Sequence, residues 1–305
     1  MISIRPAHGS DVPNVIELWR STRPHDYVDP TKLERFLNSS SFFLPEATLV
    51  AVDDGELAGF IVGTVRGKEE GRIPLLMVSR RHVNSPVGDG LLRRVLDFFM
   101  AAGLRRVEAG TSWETRLSDC GYDSRYTETI QIFLRNGFQK VWSDDELDAD
   151  ILKDLRTFEI PQSVSDARSA LEQRGLDFGV CTPEMPGSYL DFMLRHFADY
   201  KRWCARAEAY VEHDSETGFH MLAMRDEEIV GFTECVLDSD WHVYATGVRS
   251  DMRRRKIGTV LVYLSFLEMK RRGAQEALVG EAPLDFYRVV HGQVLRRYMV
   301  MCRNL

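Results

Sequence analysis

The chain has 305 residues, about twice an ordinary domain, with 44% hydrophobic and 28% charged residues and a net charge of −7. That balance excludes a disordered or fibrous chain and disfavours a general nucleic-acid binder. No apolar run approaches the roughly 20 residues of a bilayer span, and the opening MISIRP lacks a signal peptide's apolar core. Five dispersed cysteines (Cys120, Cys181, Cys204, Cys235, Cys302), without CxxC spacing, fit a reduced cytoplasmic protein using thiols as small core residues.

In chain order, residues 2–5 read as a strand and 12–21 as a helix. Residues 48–52 and 57–65 form a strand pair around the turn signal Asp53-Asp54-Gly55. A strand at 73–78 precedes an amphipathic helix at 87–102, stopped by Gly103, and a short strand at 106–109. Ile160-Pro161 and a helical stretch at 165–174 read as a connector. The order then recurs: strand 176–181, helix 188–197, strands 220–224 and 229–237 around Arg225-Asp226-Glu227, and strand 242–248. An amphipathic helix at 257–272, stopped by Gly273, and a strand at 276–279 complete it.

The recurrence extends to residues. Ala51, Asp54, Glu56, Gly59 and Phe60 align without gaps on Ala223, Asp226, Glu228, Gly231 and Phe232, giving A-x-x-D-x-E-x-x-G-F twice. Val78, Gly88, Leu91 and Gly103 find Val248, Gly258, Leu261 and Gly273 at nearly the same offset. A duplication follows, with domains expected at 1–158 and 175–305 around a connector at 159–174.

The strand-to-helix junction of the second half, Val248 to Thr259, carries Arg253, Arg254, Arg255 and Lys256 just before a helix start. Cations there oppose the helix dipole unless an anion lies against the free backbone N–H groups. Gly258 would let a bulky group approach the backbone. A solvated basic turn is the plainer alternative.

This segment resembles the acetyl-CoA motif of the GNAT acetyltransferase superfamily, whose core reads R/Q-x-x-G-x-G/A. Arg253 matches the first position, Ile257 the apolar one and Gly258 the final glycine, while Lys256 replaces the middle glycine. The element order is also that of the family, twice. The resemblance implies an α/β fold of two tandem domains, each a mixed, mostly antiparallel central sheet flanked by helices. It further implies acetyl transfer from acetyl-CoA, as cosubstrate and without a metal, to a primary amine of a small molecule or peptide. Val248, Arg253, Arg254, Arg255, Lys256, Ile257, Gly258 and Thr259 would hold the cofactor. The backbone around 247–249 would supply the oxyanion donor. Tyr287 is the candidate acid for the leaving thiolate, one residue off the family spacing, and Glu234 the candidate base, with His242, Tyr244 and Glu281 as alternatives. Strand alternation sends His242 and Tyr244 to one face, Trp241 and Val243 to the other. The aromatic stretch 192–203 reads as core or acceptor-pocket lining.

In the first half Val83 stands where arginine or glutamine is expected, Pro86 removes a backbone donor, and Asp89 would repel a pyrophosphate. Phe133 stands where catalytic members carry tyrosine. The N-terminal copy therefore reads as degenerate, a scaffold or substrate wall. The rival expectation is a non-catalytic module that binds CoA or a metabolite or mediates assembly. Neither nucleic acid nor membrane is expected as a partner, and a monomer or homodimer is expected. No G-x-S-x-G elbow, Walker loop, H-E-x-x-H or dinucleotide glycine fingerprint occurs.

Overall fold

The computed structural model describes residues 2–305 except 27, 111–116, 118–120, 144–146, 183–184, 202, 206, 209–217 and 238–240. Its elements divide into two compact units, one of residues 1–148 with 296–305, the other of residues 149–295.

The first unit contains β1 (Ile2–Pro6), α1 (Val12–Thr22), α2 (Pro30–Ser39), β2 (Thr48–Asp53), β3 (Glu56–Arg66), β4 (Glu70–Val78), α3 (Val87–Ala101), β5 (Arg106–Ala109), β6 (Tyr122–Asp123), α4 (Thr127–Arg135) and β7 (Gln139–Lys140). β8 (Asp148–Asp154) leads into the second unit, with α5 (Gln162–Glu172), β9 (Leu176–Val180), α6 (Pro186–His196), β10 (Gly218–Arg225), β11 (Glu228–Leu237), β12 (Trp241–Val248), α7 (Ile257–Arg271), β13 (Glu276–Ala282) and α8 (Leu284–Tyr287). β14 (Gln293–Met299) returns the chain to the first unit, where β15 (Met301–Asn304) ends it.

The first unit's sheet runs β1-β2-β3-β4-β5-β15-β7, and the second unit's run is β8-β13-β12-β11-β10-β9. Only β4–β5 and β12–β13 are parallel among the described pairings. Two mixed, mostly antiparallel sheets flanked by helices is the architecture that the family resemblance implies. The linear division at 158 and 175 contains no hint of what completes each sheet. β15, from the end of the chain, pairs with β5 (Met301↔Ala109), and β8, from the first half, pairs with β13 (Leu278↔Leu152).

Both faces of each sheet are covered, so strands read as nearly continuous apolar runs. In β2, Leu49 and Ala51 pack under α3 with Leu91, Val95 and Phe99, while Val50 points the other way, toward Val15, Trp19 and Leu33 of α1 and α2. The second unit repeats this. Phe219, Met221 and Val243 pack under α7, and Leu222, Phe232 and Ala245 pack under α6 with Tyr189, Phe192 and Phe197. The hairpin turns hold positive φ at both centres, Asp54 (48°) with Gly55 (87°) and Asp226 (51°) with Glu227 (66°), the twist that two-residue hairpins favour. Gly103 (φ 76°) and Gly273 (φ 95°) end their helices in the left-handed conformation.

One expected helix differs in kind. α7 is not amphipathic: Ile257, Val260, Leu261, Val262, Tyr263, Leu264 and Phe266 are all buried around its circumference. Its outer side is covered by the segment read as a connector, because α5 buries Val164 and Leu171 and Phe158 stacks on Tyr263 (5.8 Å) and packs edge-on against Phe266 (5.7 Å). Lys270 Nζ also donates to the Phe158 carbonyl at 2.8 Å. Cys181, Cys204 and Cys235 are buried free thiols and Cys302 is half-buried, while Cys120 lies outside the described residues.

Candidate active site

β12 and β13 pair in parallel only from Trp241↔Ala277 to Val243↔Val279; beyond that β12 continues to Val248 without β13 beside it. The sheet of the second unit therefore opens where β12 approaches the basic loop. A bulge lies at this point: between Glu234 and Cys235 of β11, the partner strand steps from Ala245 to Val243, leaving Tyr244 as the extra residue. The bulge reverses the faces. Val243 belongs to the core under α7 and Ala245 to the core under α6, two positions that strict alternation would place together.

Thr246 is thereby turned toward α8. The Tyr287 hydroxyl donates to Thr246 Oγ1 at 3.0 Å, and Thr246 Oγ1 lies 3.2 Å from Thr233 Oγ1. Tyr287 is buried, and burial pushes its phenol up to about 12, against the opposing effect of the Thr246 hydrogen bond. It is a neutral proton donor throughout the physiological range.

The loop from Val248 to Gly258 is built by its own arginines. Arg249 grips Asp251 (Nε–Oδ1 2.7 Å) and Glu228 (3.1 Å), around a short 3-10 turn at Ser250–Met252. Arg253 Nε donates to the Val248 carbonyl at 3.0 Å and Arg255 Nη2 to the Asp251 carbonyl at 3.1 Å. Arg254 (φ 62°) and Lys256 (φ 66°) hold left-handed backbone. Lys256 thus adopts the conformation for which the family motif supplies glycine, at a cost of about 1 kcal/mol. Val260 N–H bonds to the Lys256 carbonyl at 3.0 Å, and the N–H groups of Ile257, Gly258 and Thr259 precede it, in the turn that a helix leaves unpaired internally. All four cations from Arg253 to Lys256 are exposed around this turn.

Gly258 departs from the sequence expectation. A Cβ there would lie 3.0 Å from Phe286 Cζ, so the close approach that glycine permits is made by the protein's own ring. Phe286 meets Tyr287 edge-on (4.7 Å), linking the loop to the phenol.

Tyr287 and Glu234 are not brought together. Glu234, two residues beyond Phe232 and opposite Ala245, shares the α6 face, whereas Thr246 and Tyr287 lie on the α7 face. On the α6 face Glu234 is directly opposite His220, both buried, and the His220 ring lies 4.7 Å from Tyr189. His220 was legible only as the start of a strand; the hairpin register from Asp226-Glu227 is the signal that pairs it with Glu234. His242 and Tyr244 do lie together (5.9 Å between rings). Glu281 sits in a bulge of β13 with φ 49°, its N–H donating to Asp150 Oδ1 at 3.0 Å. Among the described residues no group of three or more His, Cys, Asp or Glu could hold a metal ion.

In the first unit β4 and β5 also part company, after Ile73↔Ala109. The loop that follows β4 is differently occupied. Asp89, in the first turn of α3, receives Arg135 in two hydrogen bonds (2.9 and 2.7 Å) and Asn136 Nδ2 at 2.6 Å. The Arg135 bonds hold its carboxyl below the usual range. Phe133 is fully buried between Tyr122 and Phe138.

The GNAT acetyltransferase family profile matches residues 12–117 and 183–290, one match in each half. The chain belongs to the GNAT acetyltransferase family. No curated protein matches its sequence. Among solved structures it is similar to the GCN5-related glucosamine N-acetyltransferase region of a fungal multi-domain GH3 β-N-acetylglucosaminidase, with TM-score 0.72, 19% identity and 99% of this chain covered. It spans only 38% of that fungal chain. A GCN5-related N-acetyltransferase from Sphaerobacter thermophilus aligns with TM-score 0.65 and 16% identity over 99% of this chain and 95% of that one. A tandem GNAT protein from the clavulanic acid biosynthesis pathway aligns with TM-score 0.59 and 12% identity over 100% and 98%. At these identities the likeness is one of fold; the two family matches, one in each half, identify the present chain as a two-domain GNAT member. No described helix is long and apolar enough to cross a membrane.

Proposed function

We propose that the second unit is an acyl-CoA-dependent N-acetyltransferase acting on a primary amine, in the cytoplasm, as a monomer or homodimer. The observation that carries this reading is the buried Tyr287 hydroxyl on Thr246, beside the opening between β12 and β13. The residues from Arg253 to Thr259 suit a pyrophosphate, because cations surround a helix turn whose N–H groups are free of helical partners. The Val248 backbone would meet the pantetheine arm. The amine nitrogen attacks the acetyl carbonyl and the carbon–sulfur bond breaks. The amine proton passes to a base on the α6 face, where Glu234 lies beside His220, and Tyr287 protonates the departing thiolate.

A second reading, CoA binding without catalysis, is favoured by Phe286 against Gly258 and by the Arg253 and Arg255 side chains folded onto loop carbonyls. Titration of acetyl-CoA into wild type and Arg253→Glu, followed by an amine-acceptor screen of wild type and Tyr287→Phe, separates the readings. Binding at one site lost with Arg253→Glu, with turnover lost in Tyr287→Phe, supports the enzyme. Binding without turnover supports the module, and no binding overturns both.

A further inference from the structure

The first unit retains a cavity of about 420 Å³ at the end of β4, walled by that strand end, the loop after it, the start of α4 and the turn after α1. Val78 and Val83 in its lining are the counterparts of Val248 and Arg253 in the second unit, yet the phosphate end is closed. Asp89, the counterpart of Thr259, fills the first turn of α3 with a carboxylate of the protein's own, clamped by Arg135 and Asn136 of α4 and its cap. Pro86 and Val83 take the places of Lys256 and Arg253, removing a backbone donor and a cation. A pyrophosphate has no place there.

What remains is a short pocket with an apolar floor (Val78, Val83, Ile132) and two opposite charges at its rim, Arg80 and Glu128. Among the described residues neither charge has an ion-pair partner, and the Glu128 carboxylate accepts only from the Thr127 hydroxyl (3.3 Å). Nearby Arg125, by contrast, is committed to Asp123. One wall is fixed: Tyr126 is buried, stacks on His25 (6.4 Å) and rests against the Arg23 guanidinium (4.9 Å), which pairs with Asp26. The volume lies toward the small end for ligand pockets.

We propose that this cleft is a binding site for a small zwitterion, an amino acid with an apolar side chain, its carboxylate at Arg80, its ammonium at Glu128 and its side chain on Val78, Val83 and Ile132. The site is distinct from the acetyl-CoA site of the second unit and does not depend on that unit being catalytic.

The test titrates the full chain with L-phenylalanine, L-leucine and L-methionine, with phenylacetate and phenethylamine as partners lacking one charge. Saturable binding of at least one amino acid at one site per chain is expected. Removing either ligand charge, or introducing Arg80→Gln or Glu128→Gln, should weaken it about tenfold. Val83→Trp should abolish it while leaving the acetyl-CoA titration, the one sensitive to Arg253→Glu, unchanged. The proposal is overturned if none of the three amino acids binds, if binding survives both rim substitutions, or if acetyl-CoA competes with the amino acid. Arg80 and Glu128 are exposed, so their variants keep the result interpretable even where Val83→Trp does not fold.

Discussion

The Tyr287 hydroxyl donates to Thr246 Oγ1 at 3.0 Å, on the side of β12 that only the bulge at Tyr244 makes available. Tyr287→Phe keeps the ring and its edge contact with Phe286 but removes the proton. If the second unit is an enzyme, kcat should fall on the order of 10²-fold with acetyl-CoA affinity within about twofold of wild type. Steady-state kinetics beside calorimetric binding checks this. Burial places the phenol at about 12, against 10 in an open chain, so loss of this acid should not lower the rate below about pH 10. A rate that falls with deprotonation near pH 8 would assign the acid elsewhere.

Gly258→Ala tests the ring that sits on the motif. The new Cβ meets Phe286 at 3.0 Å, which obliges Phe286, and Tyr287 behind it, to move by a few tenths of an ångström. Expected are a stability loss of about 1 kcal/mol by urea unfolding and a fall in kcat larger than that in Phe286→Leu. Equal kinetics in the two variants would uncouple Phe286 from the phenol.

Lys256→Gly should stabilise the chain by about 0.5 kcal/mol, since glycine adopts φ 66° without the steric cost that lysine bears, although its greater freedom when unfolded offsets part of the gain. The same substitution removes one of four clustered cations, so acetyl-CoA binding should weaken severalfold and become less dependent on salt. A drop in the unfolding midpoint would contradict the left-handed conformation.

Glu268 on α7 accepts from Arg271 and Arg272, both at 2.7 Å, and the Arg271 bond above all brings its pKa from 4.5 down to about 2. A depressed carboxylate contributes its stability above pH 4.5 and loses it as pH falls toward 2. With Arg271 largely exposed, about 1 kcal/mol is expected after solvent screening. Unfolding of wild type and Glu268→Gln should differ by that amount at pH 6 and converge as pH falls from 4.5 toward 2. A constant difference across the range would remove the ion pairs as its cause.

Much of this architecture was readable because it is local. Turn signals at Asp53-Asp54-Gly55 and Arg225-Asp226-Glu227 marked the strand pairs, and Gly103 and Gly273, both left-handed in the structure, marked the helix ends. What escaped was non-local. The apolar back of α7 has meaning only once Phe158, Val164 and Leu171 are known to cover it. The Tyr244 bulge depends on how two strands register, and it decides that Tyr287 finds Thr246, whereas Glu234 faces His220 through the separate register of β10 on β11. The basic run from Arg253 to Lys256 was plain in the sequence, but not the use of Arg253 and Arg255 to brace their own loop, because carbonyl acceptors leave no trace in composition.

β15 follows the whole second unit in the sequence, yet it is an interior strand of the first unit, between β5 and β7. The first unit cannot close its sheet until the residues of the second have been made, however long its own have been in solution. Strict domain-by-domain folding during synthesis, the usual protection of a two-domain chain, is closed to this one, and β5 waits with an open edge while the second unit is synthesised.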